Sequence, residues 1–568
     1  MSSTRVDSQV RGDAGSIPNA RLSRLRLTGG AWETLWPLGL YAVLALLAFG
    51  LPIAAHPRGT IIGADEVDPS QFMWFFTWWP WALTHGVDPF TTYHQFVPDG
   101  YNLQWAASMP LAGVVLSPIT WTVGPEVSWN LFMLACPALG AWTGYLLCRH
   151  VTGRLWPSIV GGYLFGFSPY MLGSMTGTPN LAFVALVPLF ALLVLKWLDG
   201  SLGTRAFLVA MAAAFTVQFL TSTEVLLTST IFGATALAVA FLLLPDRRRD
   251  LLRVTGLLFA AGAAMAVVVS PFLYHFFFGE HFEPVATYFA TDASAFVLPP
   301  HLVALTPKPD AAAGFRGAVT TTYVGLPLIL LSALFLWQRR RERIAWVLLL
   351  CALIPAVASL GPGLILRGKL TDVTLPWDLV NDLPLIQHAL PVRFALFVIL
   401  PLAIVVAMWL TTGGRARWAL AILVVLTFLP AVGDTFWKTS VSDPAFFSEG
   451  RYRDRLRSAD RVITIPAMGA NERYQAKTKM AFKIAGGYLG TNFPEGYTRF
   501  PTWQTLLNGQ LTPDYARQLR RFVDAKGVTA IVVDKRYGGP WRQLFGSLGV
   551  RPEDTGGVLY YRLSEPSG

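Results

Sequence analysis

Charge is scarce in this chain. Only 14% of its 568 residues are Asp, Glu, Lys or Arg, and 53% are hydrophobic. A soluble domain carries about 25% charged residues. With a mean hydropathy of +0.46, the composition excludes an ordinary soluble protein and indicates a multi-pass membrane protein. Cysteine is scarce too. Cys136, Cys148 and Cys351 lie within or at the edge of apolar segments. That excludes a disulfide framework and any zinc-type spacing. The chain also lacks internal repeats, a Gly-rich phosphate loop and a cleavable signal peptide. Residues 1–32 are polar and Arg-rich and read as a disordered cytoplasmic tail.

What is present is basic. The net charge is +11. The Lys and Arg residues sit in short clusters between apolar runs, which is the positive-inside pattern of membrane proteins and not a nucleic-acid patch. Arg21, Arg24 and Arg26 precede a first apolar run at 33–55, so the N-terminus is expected in the cytoplasm.

Residues 106–124 and 127–147 are both apolar. If both crossed the membrane, Arg149, His150 and Arg154 would land outside. The positive-inside rule favours crossing by 127–147 alone, and Pro110 and Pro118 suit a juxtamembrane helix at 106–124. Further spans then follow at 156–175, 181–198, 205–221, 223–244, 251–274, 322–337, 344–361, 392–411 and 418–434. The expectation is about eleven transmembrane helices within 33–434, with extracytoplasmic loops at 56–126, 275–321 and 362–391.

Residues 435–568 differ in kind, with ordinary polarity and no spanning run. Strands are expected at 462–467, 528–534 and 558–563, and an amphipathic helix over 513–527 ending at Gly527. Alternating helices and strands suggest a small extracytoplasmic α/β domain.

The chemistry-bearing residues gather in the first loop. The stretch Gly63–Pro110 opens with Asp65, Glu66 and Asp68 and continues into an aromatic run that includes Trp74 and Trp78. A carboxylate there could act as a general base on an acceptor hydroxyl; solvated loop charge is the plainer reading. The aromatics suit a membrane-interface helix, or a groove for a polyprenyl tail or a sugar face. Glu224 sits at the outer end of the 223–244 span, where an ionisable residue faces a cavity or lies at the headgroup level. Arg393, at the outer start of the 392–411 span, runs against the positive-inside rule. It suits a lipid phosphate or an ion pair with a loop carboxylate. Lys308 and Arg316 are further phosphate candidates. His94, His275, His281 and His388 fit no metal motif, although Glu280 and Glu283 flank His281.

These features together resemble the first extracytoplasmic loop of GT-C-type membrane glycosyltransferases. They are the acidic residues after the first span, the aromatic helix, the turn Gly86–Phe90 and the Pro-led helix from Pro110. The likeness is to the bacterial branch with a C-terminal extracytoplasmic domain. It implies an α-helical polytopic enzyme of the inner (cytoplasmic) membrane, of inverting type. The enzyme would move a sugar from a polyprenyl-phosphate donor to an extracytoplasmic glycan, lipid or protein acceptor. It places the catalytic Asp of the family at Asp68, with Asp65 or Glu66 as second choices. Glu224, Arg393, Lys308, Arg316, Trp74 and Trp78 are then expected to bind substrate. No cofactor is required by the resemblance, and a divalent metal is an option. The competing classes are a flippase for a lipid-linked saccharide and a non-catalytic envelope assembly partner. A flippase would carry charges along a midplane path and show internal pseudo-symmetry, and the sequence has neither.

Overall fold

A computed structural model describes residues 31–279, 289–306, 318–319, 321–381, 383, 389–432, 437–490 and 492–564. Six of its helices are long and apolar enough to cross a membrane. They are α1 (Trp32–Ala54), α4 (Pro125–Thr152), α6 (Pro179–Leu198), α8 (Thr223–Leu243), α9 (Pro245–Val268) and α12 (Pro391–Leu410). Between them lie α2 (Val67–His85), α3 (Pro110–Thr122), α5 (Leu155–Gly166), α7 (Thr204–Phe219), α10 (Leu326–Arg339) and α11 (Arg343–Ser359). Helix α13 (Arg415–Thr427) follows α12.

Six is fewer than the expected count of about eleven, and several of the other expected spans appear as shorter apolar helices. The expected span at 156–175 breaks at Ser168, whose hydroxyl accepts from the Met171 amide and starts a separate short helix at Pro169. Helices α7, α10, α11 and α13 have 16, 14, 17 and 13 residues. At about 1.5 Å per residue they fall short of a hydrocarbon core of about 30 Å. The Pro-led helix α3 has 13 residues, and it packs against α2 and α4.

The long helices approach each other through small residues. A Cβ at Gly166 of α5 would lie 2.4 Å from the Ala141 backbone nitrogen of α4, and one at Gly162 would lie 2.5 Å from the Ala141 carbonyl oxygen. Only glycine permits that separation, and dispersion contacts along the seam hold the pair together. Helix α12 is the central one, with nearly all of its residues buried. Helix α2 ends at Gly86, which takes the left-handed conformation (φ 65°) and donates its amide to the Ala82 carbonyl.

The C-terminal residues form a mixed five-stranded sheet. Its strands are β1 (Arg461–Ile465), β2 (Lys483–Ile484), β3 (Ala530–Asp534), β4 (Glu553–Thr555) and β5 (Val558–Arg562). The spatial order is β2-β1-β3-β5-β4. Strands β1, β2 and β3 run parallel, and β5 is antiparallel to both β3 and β4. The β-branched run of β3 is buried along its whole length, as expected of a central strand. Helix α14 (Ala470–Lys477) follows β1, and α15 (Tyr515–Lys526) precedes β3 and ends at Gly527.

This sheet is not a detached unit. Trp74 and Trp78 of α2 share one continuous core with Ile463, Ile465 and Trp503. Residues 94–97 lie along the open edge of β2: the Ile484 amide donates to the His94 carbonyl at 2.8 Å, and the Val97 amide to the Ile484 carbonyl at 3.3 Å. The edge strand is thereby covered. Thr60 and Ile61 also pair with Ser440 and Thr439. The sheet therefore sits on the same face as the Gly63–Pro110 stretch.

Candidate active site

The start of α2 fixes the first group of carboxylates. Asp65 accepts the Val67 amide at 2.9 Å, which turns the chain into the helix. Glu66 is the N-cap, and Asp68 stands in the first turn. The connection Thr176–Gly177 closes over this turn, with the Ala64 amide donating to the Thr176 carbonyl at 2.8 Å. A Cβ on Gly177 would come within 3.8 Å of the Asp68 Cβ.

Asp68 is half-buried. Burial is the main cause that raises its pKa, and the Asp65 carboxylate pushes the same way. Two groups oppose the rise. The Tyr488 hydroxyl donates to Asp68 Oδ1 over a long 3.4 Å, and Arg393 acts through its charge. Arg393 itself pairs with Glu224. Tyr170 lies within electrostatic reach of both. Asp68 and the Glu224–Arg393 pair, distant in sequence, thus lie within electrostatic range of one another, and among the described residues Glu224 Oε1 is buried without a hydrogen-bond partner. Chemically this is a proton-accepting carboxylate in the field of an arginine–glutamate ion pair.

Glu66 has a different environment. Its carboxylate receives Arg473 at 2.8 Å and the Tyr537 hydroxyl. Arg473 is fully buried and also binds Asp443 at 3.0 Å. Asp443 in turn pairs with Lys477, which lies 2.7 Å from the buried Glu126 at the start of α4. The two cations hold Asp443 below the usual carboxylate range despite its burial. This chain of charges bolts α14 onto α2 and α4. It occupies Glu66 with a structural contact.

Trp74 and Trp78 are likewise not presented to a groove. Both are buried, stacked on each other with ring centroids 5.2 Å apart. The Trp74 indole donates to Gln475 Oε1 at 2.6 Å, and that of Trp78 to the Pro89 carbonyl at 3.0 Å. Their expected contact with a sugar or polyprenyl tail is not seen: the rings cover each other, and their indole N–H groups are taken by Gln475 of α14 and by Pro89. His94 packs between Trp78 and Trp81, and burial drives its pKa down to about 4. His275 stacks on Phe90. Lys308, Arg316, Glu280, His281, Glu283 and His388 lie outside the described residues. Among the described residues no three His, Cys, Asp or Glu side chains gather as a metal site.

A family model described as a domain of unknown function (DUF6311) matches residues 38–432. The chain belongs to this family. No curated protein matches it. Among solved structures it is similar to the arabinofuranosyltransferase AftD from Mycobacteria, with a TM-score of 0.60 at 13% identity. That match covers 94% of this chain and 40% of AftD, so the chain spans less than half of that protein. It is also similar to the Archaeoglobus fulgidus oligosaccharyltransferase in complex with Zn and sulfate, with a TM-score of 0.52 at 12% identity. There 93% of this chain and 73% of the other are covered. Both are GT-C-type membrane glycosyltransferases, and the DUF6311 chain shares their fold.

Several site residues of this DUF6311 protein escape a linear reading. Tyr488 carries one local signal: it stands in GGYLG, where Gly486, Gly487 and Gly490 all have positive φ. Such a loop is built for an unusual backbone path. It is pinned by Glu472, which accepts the Tyr488 amide at 2.7 Å and the Gly469 amide at 2.8 Å. Arg473, Glu126 and Tyr537 carry no signal of this kind.

Proposed function

We propose that this protein is an inverting membrane glycosyltransferase. It moves a sugar from a polyprenyl-phosphate donor to an extracytoplasmic glycan, lipid or protein acceptor, in the bacterial inner membrane. The observation that carries this reading is the half-buried Asp68 within electrostatic range of the Arg393–Glu224 pair in a GT-C fold. AftD, by its name, transfers an arabinofuranosyl group.

Asp68 takes the proton of the acceptor hydroxyl while that oxygen attacks the anomeric carbon. The bond from the anomeric carbon to the phosphate oxygen breaks, and its electron pair leaves with the phosphate. Arg393 faces the developing phosphate charge, with Glu224 orienting the guanidinium. A raised pKa suits Asp68 to this task, because a stronger base accepts a proton more readily at neutral pH. Asp65 assists by repelling negative charge from Asp68. Lys308 and Arg316 remain candidates for the donor phosphate. The archaeal relative's structure holds zinc, but the described residues do not make up a metal site, and no step is routed through one.

The test is Asp68→Asn in a deletion strain complemented with the variant. Lipid-linked sugars and envelope glycans should match the deletion, with transfer reduced by a factor on the order of 10²–10⁴. A glycan profile equal to wild type rules out Asp68 as the base. A topology reporter at the α15 helix should read extracytoplasmic; a cytoplasmic signal overturns the orientation.

A further inference from the structure

A cavity lies at the other end of the bundle. Helix α4 starts at Pro125 beside the Glu126–Lys477 pair and ends at Thr152. At about 1.5 Å per residue, its 28 residues carry the chain about 42 Å away from the Asp68 face. Helix α12 likewise runs from Arg393, near Asp68, to Leu410. Where both helices end, an open cleft of about 480 Å³ is lined by Arg149, Arg154, Trp156, Thr411, Thr412 and Gly413, among others.

The walls of this cleft are cationic. Arg149 spends part of its guanidinium on Glu33, at 3.1 Å, and on the Gly153 carbonyl. Arg154 is exposed and forms no ion pair among the described residues. The two arginines therefore leave a net positive charge after Glu33 is counted. No side chain caps the start of α5, whose first residues Leu155, Trp156 and Pro157 also line the cleft. The rim is aromatic: Trp156 is 62% exposed and Trp32 is 76% exposed. Trp337 and Trp346 are exposed beside the Arg339–Arg343 turn, which Arg417 joins through Gln338 at 2.9 Å. Exposed indoles and arginines at the ends of spanning helices mark the headgroup level of a leaflet.

The geometry points to a binding site for an anionic phospholipid headgroup in this cleft. The lipid phosphate sits between Arg154 and Arg149, and its acyl chains run down past Trp156. The leaflet is the one opposite the candidate active site. The site is independent of the transfer reaction.

The test uses the full-length protein in a delipidated detergent micelle. Phosphatidylglycerol, phosphatidylcholine and inorganic phosphate are added separately, and retained ligand is read by native mass spectrometry alongside thermal unfolding. Wild type should retain phosphatidylglycerol in preference to phosphatidylcholine. Arg154→Gln should lower that retention about tenfold, the scale of one charge-assisted contact, and Arg154→Lys should recover part of it. Arg149 also holds Glu33, so Arg154→Gln is the decisive variant, and its unfolding in phosphatidylcholine checks that it is folded. Equal phosphatidylglycerol retention by wild type and Arg154→Gln overturns the site. Stabilisation by inorganic phosphate with no preference among lipids overturns the lipid assignment.

Discussion

Arg473 Nη1 lies 2.8 Å from Glu66 Oε2, joining residues 407 positions apart in the chain. The guanidinium is wholly buried, and its second carboxylate, Asp443, is nearly so. A buried ion pair has a large desolvation cost that only the intact partner set offsets. Removing the cation therefore leaves Glu66 with only the Tyr537 hydroxyl and Asp443 with Lys477 as its one remaining cation among the described residues.

Arg473→Met should destabilise the protein by about 3–5 kcal/mol, the usual cost of stranding a buried charge. Adding Glu66→Gln and Asp443→Asn to that variant should recover part of the loss. Thermal unfolding in detergent checks both. If Arg473→Met unfolds like wild type, the charge chain contributes little to seating the sheet.

Tyr488 tunes Asp68 by donating to it, which favours the ionised carboxylate. Tyr488→Phe removes the donor, so the Asp68 pKa rises further. The base works when deprotonated, so the acid limb of the pH–rate profile should move toward higher pH. The plateau rate should fall only modestly. An unmoved acid limb would separate Tyr488 from the titration of Asp68.

Glu472 is fully buried, and burial pushes its pKa up to about 8 although backbone amides and the Asn471 side chain oppose this. The unfolded chain then releases the proton near the ordinary value of 4.5, before the folded one does. Stability from this group is present below about 4.5 and is lost as pH rises toward about 8. His94, held at about 4 against 6.5 unfolded, acts oppositely up to pH 6.5. The net loss of stability should therefore appear between pH 6.5 and about 8. Glu472→Gln should flatten that decline, as followed by unfolding temperature across the window.

Trp74 packs and bonds within the interface and touches no groove. Trp74→Phe should leave KM for either substrate unchanged. It should cost about 1–3 kcal/mol, because the buried Gln475 oxygen loses its donor. A raised KM with unchanged stability would return Trp74 to substrate binding.

Local features survive in the sequence because local physics sets them. Low charge and long apolar runs require a membrane. Proline at 110 and 125 starts helices, and Gly86 and Gly527 end them. The β-branched run 530–534 forms a central strand. The carboxylate cluster at 65–68 is visible as a cluster, and Glu224 and Arg393 stand out because charge at a span end needs a reason. Span number was less legible: hydropathy cannot show that Ser168 and Pro169 interrupt an apolar run.

Only the tertiary structure decided what the three loop carboxylates face. Their side chains differ little in sequence, yet Glu66 meets a buried arginine, Asp65 closes a turn, and Asp68 is left half-buried beside Tyr488. The partners of Glu66 and Asp68 lie about 400 residues away, on a helix and a loop flanking the sheet, whose seat over α2 no local pattern encodes. A carboxylate's proton affinity is set by what surrounds it in space, so its role becomes readable only once the chain has folded back upon it.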